Sequence, residues 1–195
     1  MATVNLYWIP LGAGGNGFVR TNGRLYEALA ARRDRRTPLA LYHSALTVEL
    51  EGHAFVIENA WPSPDADTSS RGVVVEGPVF ATWASRWRAF RYEVRCWEGG
   101  EIPDIGHAVG GPCVVSRDPA LAERILASAP SVPALRWGRV VPGTADMWNS
   151  NSTIAWLLSV CGVQSDALRP PPQGRAPGWE AGLTVALRAH VAAGD

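Results

Sequence analysis

The fold is decided by a stretch in the second half of the chain, Met147-Trp-Asn-Ser-Asn-Ser-Thr-Ile-Ala-Trp-Leu-Leu158. Its polar beginning leads directly into apolar residues that recur at the helical period, namely Ile154, Leu157, Leu158 and Cys161. Asn and Ser are preferred N-cap residues, and a glycine often follows the last turn. The pattern therefore predicts a helix that begins near residue 150, stops at Gly162 and packs an apolar face on the core.

Ser150 is expected on the core-facing side of this helix, one turn before Ile154, and Ser152 on roughly the opposite side. A polar side chain at a helix N-terminus stands among unpaired backbone N–H groups, which stabilise a developing negative charge. The position suits a nucleophile, and it suits a residue that only caps the helix. Spacing alone favours the cap, because Ser and Asn are the usual residues there.

Composition describes an ordinary globular chain. The 195 residues are 47% apolar, which is ample for one domain with a core. Eighteen arginines balance eighteen acidic residues, and this zero net charge gives no sign of a nucleic-acid or membrane partner. Three cysteines without paired spacing, and a start without a signal-like apolar run, predict a cytoplasmic protein with free thiols. The four histidines show no ligand spacing, so no metal site is expected, and no cofactor is expected either.

Two alternating segments in the first half of the chain, 42–50 and 53–59, predict a β-hairpin. A two-residue turn places Glu58 on the same face as His43 and diagonal to it, within reach of a long side chain. A three-residue loop with a bulge at Gly52 instead sends Glu58 to the opposite face. Both registers remain open, and for His43 by itself a structural role is more common than a catalytic one.

The rest of the chain alternates between strands, helices and loops. Predicted strands are 4–10, 72–76, 90–97 and 136–141; predicted helices are 23–33, 119–128 and 179–192; predicted loops are 12–17, 61–70 and 170–178. The valines of 72–76 are expected to be buried on both faces. The arginine-bearing face of 90–97 is expected to be solvated rather than to stack bases. The glycines of 12–17 lack the Lys-Ser/Thr of a phosphate-binding loop and predict a plain or lid-like loop.

A histidine at the head of one strand, a glutamate in the next and an Asn-X-Asn motif at a later helix are shared with a known superfamily. In these features the chain, over roughly residues 40–162, resembles the circularly permuted papain-like proteins, which include relatives of the NlpC-type peptidases and of lecithin:retinol acyltransferase. The resemblance implies an α+β fold, with a mainly antiparallel sheet packed on a central helix. Residues 1–36 and 168–193 are then extensions of a single domain, 1–195.

In that superfamily a cysteine at the helix N-terminus attacks amide or ester carbonyls, and the matching position here is Ser150. The resemblance implies Ser150 as nucleophile, His43 as general base and Glu58 as the group that orients the imidazole. Backbone N–H groups at 151 and 152 are expected to form the oxyanion hole. Residues expected to bind the substrate are Trp148, Asn149, Asn151 and Ser152.

A serine is a far weaker nucleophile than a thiolate, so either His43 activates Ser150 or the hydrolytic chemistry has been lost. Two functions are therefore expected. One is an acyl-transfer enzyme, an amidase, esterase or acyltransferase that acts on a small molecule or peptide. The other is a non-catalytic binding or structural module that keeps the pocket.

A second resemblance spans nearly the whole chain but implies no activity. It is to an actinobacterial family whose activity is uncharacterised. The stretches that carry it are Tyr7-Trp-Ile-Pro-Leu-Gly-Ala-Gly-Gly15, Leu41-Tyr-His-Ser-Ala-Leu46, Val56-Ile-Glu58, Trp148-Asn-Ser-Asn-Ser152 and Gly174-Arg-Ala-Pro-Gly-Trp179.

Overall fold

A computed structural model describes residues 1–15, 17–62, 72–79 and 82–193 of the chain. Within these ranges the strands are β1 (Ala2–Pro10), β2 (Ala40–Leu50), β3 (His53–Ala60), β4 (Val73–Pro78), β5 (Arg91–Glu98), β6 (Cys113–Ser116) and β7 (Gly174–Arg175). The α-helices are α1 (Gly17–Arg33), α2 (Pro119–Ser128), α3 (Ser150–Val160) and α4 (Trp179–Ala193). None of the described helices is long and apolar enough to cross a membrane. The α+β class predicted from the sequence is confirmed.

The strands form one sheet in the order β4-β5-β3-β2-β1-β6, and every neighbouring pair in this order is antiparallel. The short strand β7 runs parallel to the start of β2. β1, which was expected in an N-terminal extension, lies inside the sheet between β2 and β6. The mainly antiparallel sheet is therefore completed by residues from both ends of the chain.

The hairpin between β2 and β3 has the two-residue turn. Leu50 pairs with His53, and the register continues to Leu46 opposite Ile57. Glu51 and Gly52 have φ angles of 54° and 91°, the two positive values that a type I′ turn requires. Glutamate is a poor residue for the first of these positions, so the pairing of the strands holds it there. The bulged alternative is wrong.

One face of the sheet packs on α3, which α4 covers from the other side. Leu46 and Ile57 lie in a buried cluster with Ile154 and Leu157 of α3. Full burial of each such side chain stabilises the fold by about 1.5–3 kcal/mol. A Cβ at Gly182 of α4 would lie 2.3 Å from the carbonyl oxygen of Ser152, so only glycine lets the two helices approach this closely. Because both sides of α3 are covered, residues 151–158 are all buried.

The opposite face, called the outer face here, carries a smaller apolar cluster. Its buried members are Ile9, Ala45, Val56 and Ile102. Ile102 comes from the irregular segment between β5 and β6, which places that segment against the outer face. The sheet therefore has two differently built faces, with α3 on one and an irregular segment on the other.

Several local predictions need correction. β4 is an edge strand in which only Gly77 is buried, so the expected burial of its valines on both faces is wrong. Segment 136–141 forms only isolated bridges at Trp137 and Val140. The charged face of β5 is not solvated, because Glu93 is fully buried and the Arg95 side chain is only 11% exposed. The predicted helices 119–128 and 179–192 are confirmed, while residues 63–70 of the predicted loop 61–70 lie outside the described part of the chain.

Candidate functional site

The N-terminus of α3 is closed by a capping box. Asn149 Oδ1 accepts hydrogen bonds from the backbone N–H of Asn151 at 2.9 Å and of Ser152 at 3.4 Å, and Ser152 Oγ accepts from the Asn149 N–H at 3.0 Å. This reciprocal arrangement satisfies donors that a helix end otherwise leaves unpaired. The N–H groups at 151 and 152, expected to form an oxyanion hole, are therefore already bonded to Asn149.

Asn151 ties three segments of the chain together. Its Nδ2 donates to the carbonyl oxygens of Tyr42 at 3.0 Å and Pro177 at 2.8 Å, and its Oδ1 accepts from Ser44 Oγ at 2.8 Å. Ser152, which was expected to point away from the core, is fully buried and donates to the carbonyl oxygen of Gly178 at 2.7 Å. Both side chains use their polar atoms to hold α3 against β2 and the C-terminal segment.

Trp148 also lies in the interior. It is fully buried, and its indole N–H donates to the Tyr92 hydroxyl at 3.1 Å, which in turn donates to the Leu135 carbonyl at 2.8 Å. Burial raises the pKa of Tyr92 to about 12, although the bond from Trp148 acts in the opposite direction. The four residues expected to bind substrate thus all make internal contacts in the structure.

His43 and Ser150 lie on opposite faces of the sheet. Side chains alternate along a strand, and the side chain of β2 that bonds to α3 is that of Ser44, the neighbour of His43. Ile9, the β1 partner of His43, belongs to the outer cluster. Ser150 is half-buried at the start of α3 and makes no side-chain hydrogen bond to the described part of the chain. The structure therefore does not bring Ser150 to His43.

Glu58 lies on the outer face with His43, as the two-residue turn requires. The residues of the hairpin strands that face α3 are instead their neighbours Ser44 and Asn59, neither of which ionises at physiological pH. The predicted packing of the sheet on α3 is confirmed. However, Ser44 and Asn59, rather than His43 and Glu58, are directed toward α3. The three members of the expected Ser-His-Glu arrangement are therefore not assembled.

The imidazole of His43 has a different partner, Asp104. The distance from His43 Nε2 to Asp104 Oδ2 is 2.9 Å, and the two side chains are 22% and 19% exposed. An ionised carboxylate only accepts hydrogen bonds, so in the neutral imidazole Nε2 carries the hydrogen and Nδ1 keeps a lone pair. Burial by itself would raise the pKa of Asp104, but the bond to His43 and its charge outweigh burial and hold that pKa below its ordinary value. Asp104 has the orienting position that the sequence suggested for Glu58.

Glu58 stands beside this pair with an unusual ionisation. Burial raises the pKa of its carboxyl group to about 7, the charge of Asp104 adds to this effect, and Arg95 and His43 oppose it. Arg95 is directed elsewhere, because it donates two hydrogen bonds to Glu93, at 2.9 and 3.1 Å. The predicted hydrogen bond between Glu58 and His43 is absent among the described contacts. Near neutral pH Glu58 is thus partly protonated and able to give up a proton.

The glycine-rich segment borders the same cluster. Gly14 has a φ of 76°, and a Cβ added there would lie 3.3 Å from Asp104 Cβ. A side chain at this position would therefore be strained and would press on Asp104. The short 3-10 turn Ala13–Gly15 thus passes close to Asp104.

Sequence reasoning missed Asp104, Ser44 and Asn59. Asp104 is 61 residues from His43 in an irregular segment, where a lone aspartate follows no pattern. The alternation of β2 does signal Ser44, which shares a face with Leu46 and Val48, and the register of the two-residue turn then places Asn59 on that face. Within the described ranges no three His, Cys, Asp or Glu side chains are grouped so as to hold a metal ion.

Comparisons of the chain with family models, with curated proteins and with solved structures find no match. The chemistry of the site is therefore argued from its own geometry.

Proposed function

We propose that the protein is a hydrolase in which His43, oriented by Asp104, activates water and Glu58 acts as the general acid. The observation that carries this proposal is the 2.9 Å bond between His43 and Asp104 beside a carboxyl group whose pKa is about 7. The pKa of Asp104 is lowered and that of Glu58 is raised, so these neighbouring carboxyl groups differ in ionisation state near neutral pH. Such a difference is typical of acid–base catalysis. The reaction stays in the acyl-transfer class that the resemblance implies, with water in place of Ser150.

The proposed reaction uses only side chains of the outer face. His43 Nδ1 takes a proton from water, and the water oxygen attacks the carbonyl carbon of an ester or amide. Glu58 gives its proton to the departing oxygen or nitrogen, and a proton returns from His43 to Glu58 through solvent. Positioned acid–base groups of this kind contribute roughly 10²–10⁴-fold each to a rate.

The scaffold we propose is a permuted papain-like one. A helix that packs across an antiparallel hairpin, with its N-terminus beside β2, supports this topology. The three free cysteines, Cys96, Cys113 and Cys161, support a cytoplasmic location. The zero net charge supports a small-molecule or peptide substrate rather than a nucleic acid or a membrane.

A second candidate function is a non-catalytic binding module centred on the α3 face. The observation that favours it is Asn59, whose amide nitrogen and oxygen are both buried without a hydrogen-bond partner in the described part of the chain. Most buried polar atoms are hydrogen-bonded, so this amide is the contact that the α3 face offers to a ligand.

Hydrolysis of a panel of activated esters and aminoacyl anilides distinguishes these functions. Asp104→Asn and His43→Gln are expected to lower kcat/KM by about 100-fold or more, while Ser150→Ala changes it by less than about twofold. The rate should fall above pH 7 as Glu58 loses its proton, and Glu58→Gln should remove that dependence. Loss of activity in Ser150→Ala with normal activity in Asp104→Asn would instead favour a serine nucleophile. Turnover that none of these variants alters would overturn the proposed roles of His43, Asp104 and Glu58, and a wild-type protein that hydrolyses no member of the panel would favour the binding module.

A further inference from the structure

A cavity of about 480 Å³ lies between α4 and the irregular segment before it. Its apolar wall includes Leu168, Trp179 and Leu183. Trp179 packs on Trp8, whose strand position faces α3, with ring centroids 5.0 Å apart. The cavity is therefore on the α3 side of the sheet, away from His43, and ligand pockets of this kind typically measure about 300–1,000 Å³.

The wall of the cavity is rigidly held. The buried Trp179 ring donates its indole N–H to the Ser165 carbonyl at 3.0 Å. A Cβ at Gly174 would lie 2.3 Å from the Tyr42 ring, so the backbone of this wall is packed directly on β2. Asp146 lines the cavity too, but its two oxygens accept from the N–H groups of Gly178 at 2.6 Å and Met147 at 3.2 Å. The cavity is thus pre-formed, and Asp146 is a structural part of it.

Charges of both signs line the cavity without neutralising each other. Asp166, Arg169 and Glu180 are exposed, and in the described part of the chain none of them forms a side-chain hydrogen bond or an ion pair. Arg175 is directed toward Glu27, at 3.4 Å, so it is partly engaged. One unpaired guanidinium and two unpaired carboxylates thus stand beside a fixed apolar wall.

We propose that this cavity binds a small zwitterion with an apolar side chain, that is, a free amino acid or a dipeptide. The apolar side chain lies against Trp179 and Leu183, the carboxylate of the ligand pairs with Arg169, and its ammonium group pairs with Glu180 and Asp166. A ligand with only a negative charge would leave Asp166 and Glu180 without a partner, and a ligand with only a positive charge would leave Arg169 without one. Because the cavity and the His43 cluster lie on opposite sides of the sheet, this site stands apart from the proposed hydrolysis.

Isothermal titration calorimetry with leucyl-leucine as the probe tests the proposal. N-acetyl-leucyl-leucine, which lacks the ammonium group, and leucyl-leucine amide, which lacks the carboxylate, are the matched ligands. We expect saturable binding of the dipeptide and affinities about two- to fivefold weaker for each blocked form, which is the usual size of an ion pair between exposed groups.

Two charge-removing variants then assign the groups. In Arg169→Gln the dipeptide and its amide should bind equally, because the variant lacks the partner of the ligand's carboxylate. In Glu180→Gln the affinities of the dipeptide and its N-acetyl form should come closer, because the variant lacks one partner of the ligand's ammonium group. Arg117→Gln and Glu123→Gln, exposed residues outside the cavity, are the controls and should preserve the full discrimination. The proposal is overturned by an absence of saturable binding, by blocked dipeptides that bind as tightly as the free one, or by unchanged discrimination in Arg169→Gln.

Discussion

The two faces of the sheet use polar residues in opposite ways. On the α3 face, Asn149, Asn151 and Ser152 bond to backbone groups of neighbouring segments, so their polar atoms hold the fold together. On the outer face, the partly exposed pair His43–Asp104 has one free ring nitrogen, and Glu58 has a pKa near 7. Buried polar groups need partners, whereas reactive groups need access and a proton that can move.

This contrast shows that a polar cluster at a helix N-terminus is no sign of catalysis by itself. The sequence 147–152 has the composition of an active site, but its atoms complete a cap and cross-link three segments. Chemistry is better supported where a histidine is oriented and a carboxyl group is partly protonated near neutral pH, even though the residues there are scattered along the chain.

The largest expected effect is on the α3 face. Asn151→Ala leaves the carbonyl oxygen of Tyr42 and the hydroxyl of Ser44 without this partner in a buried site, and it removes one of the two hydrogen bonds to the Pro177 carbonyl, which Asn149 also binds. We expect a loss of about 3–4 kcal/mol in the free energy of unfolding, measured by urea denaturation. Ser150→Ala, one residue away and half-buried, is the control and should cost less than about 0.5 kcal/mol. Equal costs for the two variants would contradict the structural role of Asn151.

The outer face should instead make stability depend on pH. The folded-state pKa of Glu58, about 7, lies above its ordinary value of 4.5, so folding favours the protonated form. The contribution of Glu58 to the free energy of unfolding is therefore fully present below pH 4.5 and is lost as pH rises through about 7. Wild-type protein should therefore be roughly 2–3 kcal/mol less stable at pH 8 than at pH 4.5 through this group, and Glu58→Gln should remove that difference. Glu49→Gln, at an exposed position on β2, is the control and should keep the wild-type difference in stability between the two pH values. A Glu58→Gln variant with the wild-type pH dependence would show that Glu58 ionises normally.

A smaller, opposite effect is expected at Asn59. Both polar atoms of its amide are buried and have no partner among the residues that the structure describes, and Val94 is its neighbour on β5. Asn59→Leu has a similar shape and no polar atoms, so it should stabilise the protein by about 1–2 kcal/mol. Thermal unfolding of this variant beside Asn59→Ala separates the effect of the amide from that of side-chain volume. A loss of stability in Asn59→Leu would show that the amide is hydrogen-bonded in solution.

Local patterns predicted the elements of the fold well. The helical period of 154–161 and the Asn-Ser cap located α3, and alternation located the hairpin, whose two possible registers the structure reduces to the two-residue turn. These features depend on residues close together in the chain, so their chemistry is visible in the sequence.

The face of the hairpin that meets α3 was predicted wrongly, although β2 carries the signal. Leu46 and Val48 share the face of Ser44, whereas Thr47 and Glu49 share that of His43, so alternation directs Ser44 toward the core. The partner of His43 was missed for a different reason, because Asp104 reaches it through a loop that follows no period. Alternation gives two faces, but long-range packing decides what each face contacts.

The last prediction concerns the absence of an effect across the sheet. In Ser150→Cys the new thiol lies on the α3 face, so its alkylation by iodoacetamide at pH 7 should change by less than about twofold when His43 is replaced by Ala. The exposed Cys113 must first be replaced by Ala, whereas burial raises the pKa of Cys96 to about 11 and also raises that of Cys161, which keeps both thiols slow to react. Ser152→Cys is unsuitable as an exposed comparison, because Ser152 is fully buried. A rate that falls by about tenfold or more in the His43→Ala background would place the imidazole beside Ser150, because only a nearby base or cation activates a thiol to that extent. That result would restore the Ser-His-Glu arrangement and contradict the separation of the two faces.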